Sequence, residues 1–80
     1  MPMEIRRLAE KIMVNSIEIA ELNGKSFNSL AASAIYMACL ITNIRLVRTK
    51  KDIADICGSS EATLISTLKI MRKNQQQLIN

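Results

Sequence analysis

The sequence predicts an all-α fold, and three observations support this prediction. Apolar residues recur at helical spacing along most of the 80 residues, as in helices with one buried face. The stretch 29–42 is apolar on nearly every side, so a helix there has to be buried all round. Residues that typically start or stop helices separate these stretches. Four helices are therefore expected, over about residues 3–22, 27–42, 50–57 and 60–73.

The first predicted helix begins near Pro2 and ends at Asn23 and Gly24. Proline suits the first turn of a helix, and glycine is the residue most typical just past a helix end. Apolar residues cover a wide sector of this helix, so we expect it to be buried on more than one side. The residues concerned are Ile5, Leu8, Ala9, Ile12, Met13, Val14, Ser16, Ile17, Ile19, Ala20 and Leu22.

The second predicted helix is the expected centre of the domain. Its apolar run is too short to cross a bilayer, which needs about 20 residues. Ser26 is suited to cap its start. Small side chains would let neighbouring helices approach closely, and these are Ala31, Ala32, Ser33, Ala34 and Ala38. We therefore expect a central helix with the other segments packed around it.

The last two predicted helices are joined by a short turn. Thr49 and Asp52 have the spacing of a capping box at the start of the third helix. Gly58 ends that helix, and one of the two serines that follow caps the fourth. The inward residues expected are Ile53, Ala54, Ile56 and Cys57 on the third helix and Leu64, Thr67, Leu68 and Met71 on the fourth. Residues 74–77 are expected to be a fraying end or tail.

The positive charge of the chain is unevenly distributed. Residues 1–24 hold three basic and four acidic side chains, whereas residues 25–80 hold eight basic and three acidic ones. A basic region of this kind suits a polyanionic partner, most simply nucleic acid, and a solvated basic surface explains it equally well. The sequence has one tyrosine and one phenylalanine, which argues against binding single strands by base stacking.

The composition offers no catalytic or metal-binding constellation. The chain has no histidine, and its two cysteines, Cys39 and Cys57, lie in separate helical patterns. We expect buried free thiols rather than a disulfide or a zinc site, which suits an intracellular protein. The first residues lack the pattern of a signal peptide. We therefore expect no enzymatic activity, no cofactor, no metal and no membrane segment.

Residues 49–69 have the outline of a helix-turn-helix, namely a capped short helix, a glycine turn and a second capped helix. In such motifs the first helix crosses the phosphate backbone and the second presents its N-terminal part to the major groove. Any helical hairpin with a glycine turn inside a bundle looks the same. The residues expected on or beside the outer side of the last helix are Ala62, Thr63, Ile65, Ser66, Lys69 and Lys73. Lysines 50, 51, 69 and 73 could pair with phosphates.

Three stretches carry a family resemblance, SLAASAIYMAC at 29–39, RTKKDIADICG at 48–58 and EATL at 61–64. Together they resemble the second cyclin-like repeat of the transcription factor IIB family, which includes the Brf and archaeal TFB proteins. The resemblance runs over about residues 2–78, nearly the whole chain. It implies an all-α cyclin-like domain whose third helix is central. The chain would hold about four of the five helices, as a partial C-terminal repeat, with the last two forming the helix-turn-helix.

The resemblance also implies a function and a site. In this family the repeat binds promoter DNA beside the TATA element together with the TATA-binding protein, and helps place RNA polymerase II. The helix-turn-helix meets the major groove upstream of that element. Carried over by position, the DNA-binding residues are Arg48, Thr49, Lys50, Lys51, Ala62, Thr63, Ile65, Ser66 and Lys69. The location implied is the nucleus, or the cytoplasm if the chain is archaeal.

Two departures from the family pattern change these expectations. Ile65 stands where animal forms carry an arginine that reads guanine, and isoleucine cannot make that bidentate contact. Binding by backbone contacts and DNA shape is unaffected. The expected absence of the first helix would leave apolar surface uncovered, which predicts homodimerisation, domain swapping or poor solubility. Polymerase contact would need parts outside this chain.

Two further readings stay open. A cyclin-type protein-interaction module would have the same fold and no DNA contact. A small dimeric helix-turn-helix regulator would explain the last two helices but not the buried central one. The basic segment 48–51 and the small polar outer side of the last helix favour DNA binding. The sequence does not show whether Ile65 packs inward or faces the DNA.

Overall fold

The computed structural model describes residues 3–42 and 50–79, and within these ranges all regular structure is helical. The helices are α1 (Met3–Ser16), α2 (Ala20–Asn23), α3 (Phe27–Thr42), α4 (Lys50–Cys57), α5 (Glu61–Lys73) and α6 (Gln75–Ile79). The predicted all-α, cyclin-like class is confirmed. None of the described helices is both long enough and apolar enough to pass through a membrane. The predicted cap at Thr49 lies outside the described residues.

Helix α3 is the centre of the domain, as predicted, and packs against α1, α4 and α5. Its alanines Ala32, Ala34 and Ala38 are completely buried. Because a methyl side chain fills little space, the neighbouring helix axes can lie close to α3 at these positions. Ser26 caps the start of the helix, since its Oγ accepts a hydrogen bond from the Ser29 N–H at 3.2 Å. The central apolar stretch is thus the core of the fold.

The prediction of one helix over residues 3–22 was wrong. Helix α1 ends at Ser16, and residues 17–19 form a turn before the short helix α2. The buried Ser16 hydroxyl donates to the carbonyl of Met13 at 2.6 Å, a local bond that competes with the helical pattern and often bends helices. Ile19 is extended, with φ −98° and ψ 112°. The break turns Ile19 and Leu22 into the core.

The prediction that the first helical segment is buried on more than one side was also wrong. The buried side of α1 consists of Ile5, Ala9, Ile12 and Ser16, at helical spacing. Val14 and Ile17 are 65% and 71% exposed, and Ala20 is exposed as well. The helix lies at the edge of the domain, against α3 and α6. One neighbouring layer can cover only one side of a helix.

Residues 74–77 are not a tail, which is a third correction. Asn74 ends α5, and the chain then forms α6. Leu78 of α6 is completely buried, and its carbonyl accepts a hydrogen bond from Asn15 Nδ2 of α1 at 2.6 Å. The C-terminal helix therefore closes the core against α1.

Candidate nucleic-acid interface

The turn between α4 and α5 depends on Gly58. This glycine has φ +75°, a left-handed backbone conformation that residues with a side chain rarely adopt. The N–H of Gly58 donates to the carbonyl of Asp55 at 3.2 Å, and the N–H of Ser59 donates to that of Ala54 at 2.8 Å. This pair of bonds is the Schellman ending of a helix. A Cβ on Gly58 would also lie 3.2 Å from Asn28 Nδ2, so the turn has little room for a side chain.

Ser60 is the cap of α5, which settles the choice between the two serines after Gly58. It is extended, and its Oγ accepts from the N–H of Thr63 at 3.2 Å. The hydroxyls of Ser60 and Thr63 are also hydrogen-bonded, at 2.7 Å. Ser59 instead points to α3, where its hydroxyl lies 3.2 Å from that of Ser29. Ser60 thus caps α5, whereas Ser59 links the turn to α3.

The inner side of α5 is buried as predicted, through Leu64, Thr67, Leu68 and Met71. Ser33 of the central helix donates from its Oγ to the carbonyl of Leu64 at 3.2 Å. The Thr67 hydroxyl is buried and has no hydrogen-bond partner within the described residues. Apolar burial and the Ser33 bond together fix the rotation of α5 about its axis, and so determine which residues face outward.

The outer side of α5 carries Ala62, Ile65, Ser66 and Lys69, which we call the outer face. Their spacing of three and four residues places them on one side of the helix. All of them are exposed, and the exposed fraction of Ile65 is 44%. Ile65 therefore points outward, which answers the question that the sequence left open. Thr63, half-buried and bonded to Ser60, lies beside this face.

The two lysines at the start of α4 have different surroundings. Lys50 is half-buried, and its Nζ lies 5.4 Å from the centroid of the Tyr36 ring on α3, within cation–π range. Lys51 is exposed. Glu61, in the first turn of α5, is the acidic side chain nearest in sequence to the outer face. The predicted site residues Arg48 and Thr49 lie outside the described residues.

The described members of the predicted site lie on two neighbouring helices, α4 and α5. Helices α4 and α5 pack against each other, so the lysines of α4 and the outer face of α5 belong to one helical pair. Lys73 was expected on the outer side and is exposed, but its Nζ lies 3.8 Å from the Glu21 carboxylate. Sequence reasoning missed the contact of Lys50 with Tyr36, since nothing in a single sequence pairs residues on separate helices.

The cysteine and acidic side chains of the described residues do not form a metal site. No set of three or more cysteine, aspartate and glutamate side chains within residues 3–42 and 50–79 could hold a metal ion. Both cysteines are free; Cys39 is buried as expected, whereas Cys57 is only half-buried. Burial raises the pKa of each thiol, which keeps it protonated near neutral pH.

These features define an all-α domain in which α4 and α5 form a helix-turn-helix with an exposed outer face. A family model described as the transcription factor TFIIB repeat matches residues 1–74. The chain belongs to this family, as the sequence motifs predicted.

Individual relatives are spread over eukaryotes and archaea. Transcription initiation factor IIB of Dictyostelium discoideum is 32% identical over 79 residues, 99% of this chain and 24% of the relative. The Drosophila melanogaster protein of the same name is 32% identical over 78 residues, 98% of this chain and 24% of the relative. Transcription initiation factor IIB 1 of Thermoplasma volcanium is 34% identical over 67 residues, which are 84% of this chain and 21% of the relative. The chain thus spans about a quarter of the length of these relatives. No solved structure matches it.

Proposed function

We propose that this chain is a promoter-DNA-binding module of a general transcription initiation factor and has no enzymatic activity. One observation carries the proposal. The last two long helices form a helix-turn-helix in which α5 is capped, is held against the core on one side and is exposed on the other. Membership of the family supports the same role, because the relatives are named transcription initiation factors.

In the proposed complex, α5 lies in the major groove and α4 crosses the phosphate backbone. Lys50 and Lys51 would contact phosphates. Arg48 and Thr49 are proposed for the same role from their position in the family motif. Ala62, Ile65, Ser66 and Lys69 would face the groove, with Thr63 beside them. Because isoleucine cannot make a bidentate contact with guanine, backbone contacts and DNA shape would provide most of the binding.

The proposed protein partner is the TATA-binding protein, which the resemblance to the family implies. Recruitment of RNA polymerase II would belong to the longer protein, since the chain spans about a quarter of its relatives. The proposed location is the nucleus in a eukaryote and the cytoplasm in an archaeon. Homodimerisation through exposed apolar side chains such as Met3 and Val14 stays a prediction, and sedimentation of the purified chain tests it.

A gel shift on TATA-containing duplex, with and without the TATA-binding protein, tests the proposal. The test variant is Lys50→Glu/Lys51→Glu, and the matched control is Arg7→Glu/Lys11→Glu. The control changes the net charge by the same amount on exposed positions of α1, which packs against α3 and α6. Low salt is used because phosphate contacts are strongest there.

The expected result is a shifted complex that the α4 variant forms much more weakly and the α1 control keeps. In a salt titration, the slope of log affinity against log salt should fall by about 1 to 2 in the α4 variant, since each phosphate contact contributes about 0.9. Circular dichroism of each variant checks that it is folded. Equal loss in both variants would show a response to total charge only. No complex at low salt would overturn the proposal and favour a protein-interaction module of the same fold.

A further inference from the structure

The outer face of α5 has an unusual composition for a surface that reads bases. Ala62 and Ile65 are apolar, Ser66 is small, and Lys69 stands one turn further along the helix. The face carries no arginine, asparagine or glutamine. Ile65 is nevertheless 44% exposed to solvent, although other positions of the same helix bury their apolar side chains fully. At Ile65 and Ala62 the face can therefore offer only an apolar contact.

The major-groove edges of the base pairs differ in what they offer to such a face. Guanine is read by paired donors from arginine or lysine, and adenine by the amide of asparagine or glutamine. Thymine alone carries a C5-methyl group, which is read by apolar contact. The side chains of Ile65 and Ala62 fit that methyl group and match no hydrogen-bonding edge.

The orientation of α5 determines which of its residues can contact a base pair. The Ser60 cap and its bonds to Thr63 fix the start of the helix, and the Ser33 bond to the Leu64 carbonyl fixes its rotation. Leu64 is completely buried, so its neighbour Ile65 cannot exchange places with it. A helix that enters the groove by this face presents Ile65 and Ala62 first, and Lys69 further from the N-terminus.

We propose that the outer face of α5 selects duplexes by the C5-methyl groups of thymine, with Ile65 as the principal contact and Ala62 beside it. This inference rests on the proposed DNA binding and adds the base feature that is recognised. It predicts preference for A·T pairs in the major groove over unmethylated G·C pairs.

Fluorescence anisotropy with four repeating duplexes tests the inference on the full chain at low salt. The duplexes alternate adenine with thymine, adenine with uracil, guanine with cytosine, and guanine with 5-methylcytosine. Uracil removes only the methyl group of thymine, and 5-methylcytosine adds the same group to a G·C pair. Because the sequences repeat, every binding register presents the methyl group. The comparison therefore needs no knowledge of the natural promoter.

The expected result is weaker binding to uracil than to thymine, and tighter binding to 5-methylcytosine than to cytosine. Each difference should be about threefold to fivefold per contacted methyl, the factor that corresponds to one buried methyl group. Ile65→Ser should remove both differences. Ile17→Ser is the matched control, because Ile17 is 71% exposed and lies in the turn after α1. It should keep both differences.

The remaining outcomes separate the inference from the proposed function. Equal binding to thymine and uracil would overturn methyl recognition and leave DNA binding standing. Loss of all duplex binding in Ile65→Ser, with a folded circular dichroism spectrum, would show a general contact and would also overturn it. Binding to none of the duplexes would overturn both. Ile65→Arg is a second variant, expected to reverse the preference towards unmethylated G·C pairs through contacts with guanine.

Discussion

The burial of Leu78 gives a quantitative prediction for the C-terminal helix. Leu78 is fully buried in α6, against α1. Leu78→Ala removes three carbon atoms from the core and leaves a cavity, and such changes cost about 2–5 kcal/mol. A small domain of this length has a total unfolding free energy of roughly 4–12 kcal/mol. We therefore expect Leu78→Ala to remove about 3 kcal/mol, a quarter or more of the stability.

Urea unfolding followed by far-ultraviolet circular dichroism measures this loss. The slope of free energy against urea should stay nearly constant while the midpoint falls by about 1–3 M. Gln77→Ala is the matched control, since Gln77 is the exposed neighbour in the same helix. Surface changes of this kind stay within about 0.5 kcal/mol. Asn15→Ala should cost about 1 kcal/mol, because Asn15 loses its hydrogen bond to the Leu78 carbonyl.

Two results would refute this reasoning. If Leu78→Ala unfolds at the same urea concentration as Gln77→Ala, then α6 does not close the core. If the slope also falls strongly, the native state has already lost α6, and the measured change is not the cost of a cavity. In either case the end of the chain would behave as the tail that the sequence predicted.

Three further predictions concern single positions. Gly58→Ala should destabilise the fold by about 1–2 kcal/mol, because Gly58 has a positive φ. Gly24→Ala should be neutral or stabilise the fold by up to about 1 kcal/mol, because a Cβ at that position would meet open space. Equal urea midpoints for the two variants would contradict this prediction. Ser33→Ala should cost about 1 kcal/mol through its lost hydrogen bond. Thr67→Val should cost nothing, since that hydroxyl has no partner among the residues that the structure describes; calorimetry measures both. Burial raises the pKa of the Cys39 thiol, so the unfolded chain ionises first, and the unfolding free energy should fall as pH rises above the usual thiol pKa. Cys39→Ala should reduce that fall, and an unchanged pH profile would argue against it.

The parts of the fold that the sequence predicted well are those with a local physical cause. The central helix follows from its apolar composition, and the caps at Ser26 and Ser60 follow from their position before helical patterns. The buried side of α5 follows from spacing alone. Each of these depends on residues that are close together in the sequence.

The errors have a common cause, since each depends on contacts between distant segments. The break after Ser16 lets Ile19 and Leu22 enter the core that they share with distant helices. The helix α6 was missed because exposed glutamines precede its one fully buried residue, Leu78. Ile56 was expected to be inward but is 64% exposed, because α4 has one buried side, which Ile53 and Ala54 fill.

For the candidate site, spacing was enough to predict most of the residues of α5 that face outward. The helix-turn-helix outline gave Ala62, Ser66 and Lys69, and these are exposed. The orientation of Ile65 was beyond the sequence, because a residue at the border of a helical face can turn either way. In the structure α5 packs on α3 with Leu64 in the core and Ile65 on the solvent side.

The contact between Lys50 and Tyr36 has a consequence for the entropy of binding. A free lysine side chain samples many rotamers and loses up to about 2 kcal/mol of conformational entropy when it is fixed. Lys50 has already given up part of that freedom, since its ammonium group rests 5.4 Å from an aromatic ring on α3. Lys51, exposed beside it, has given up less. Lys50 and Lys51 carry the same charge, yet they would lose different amounts of conformational entropy on binding the same anion. Lys50 would lose less, because it is already held against Tyr36.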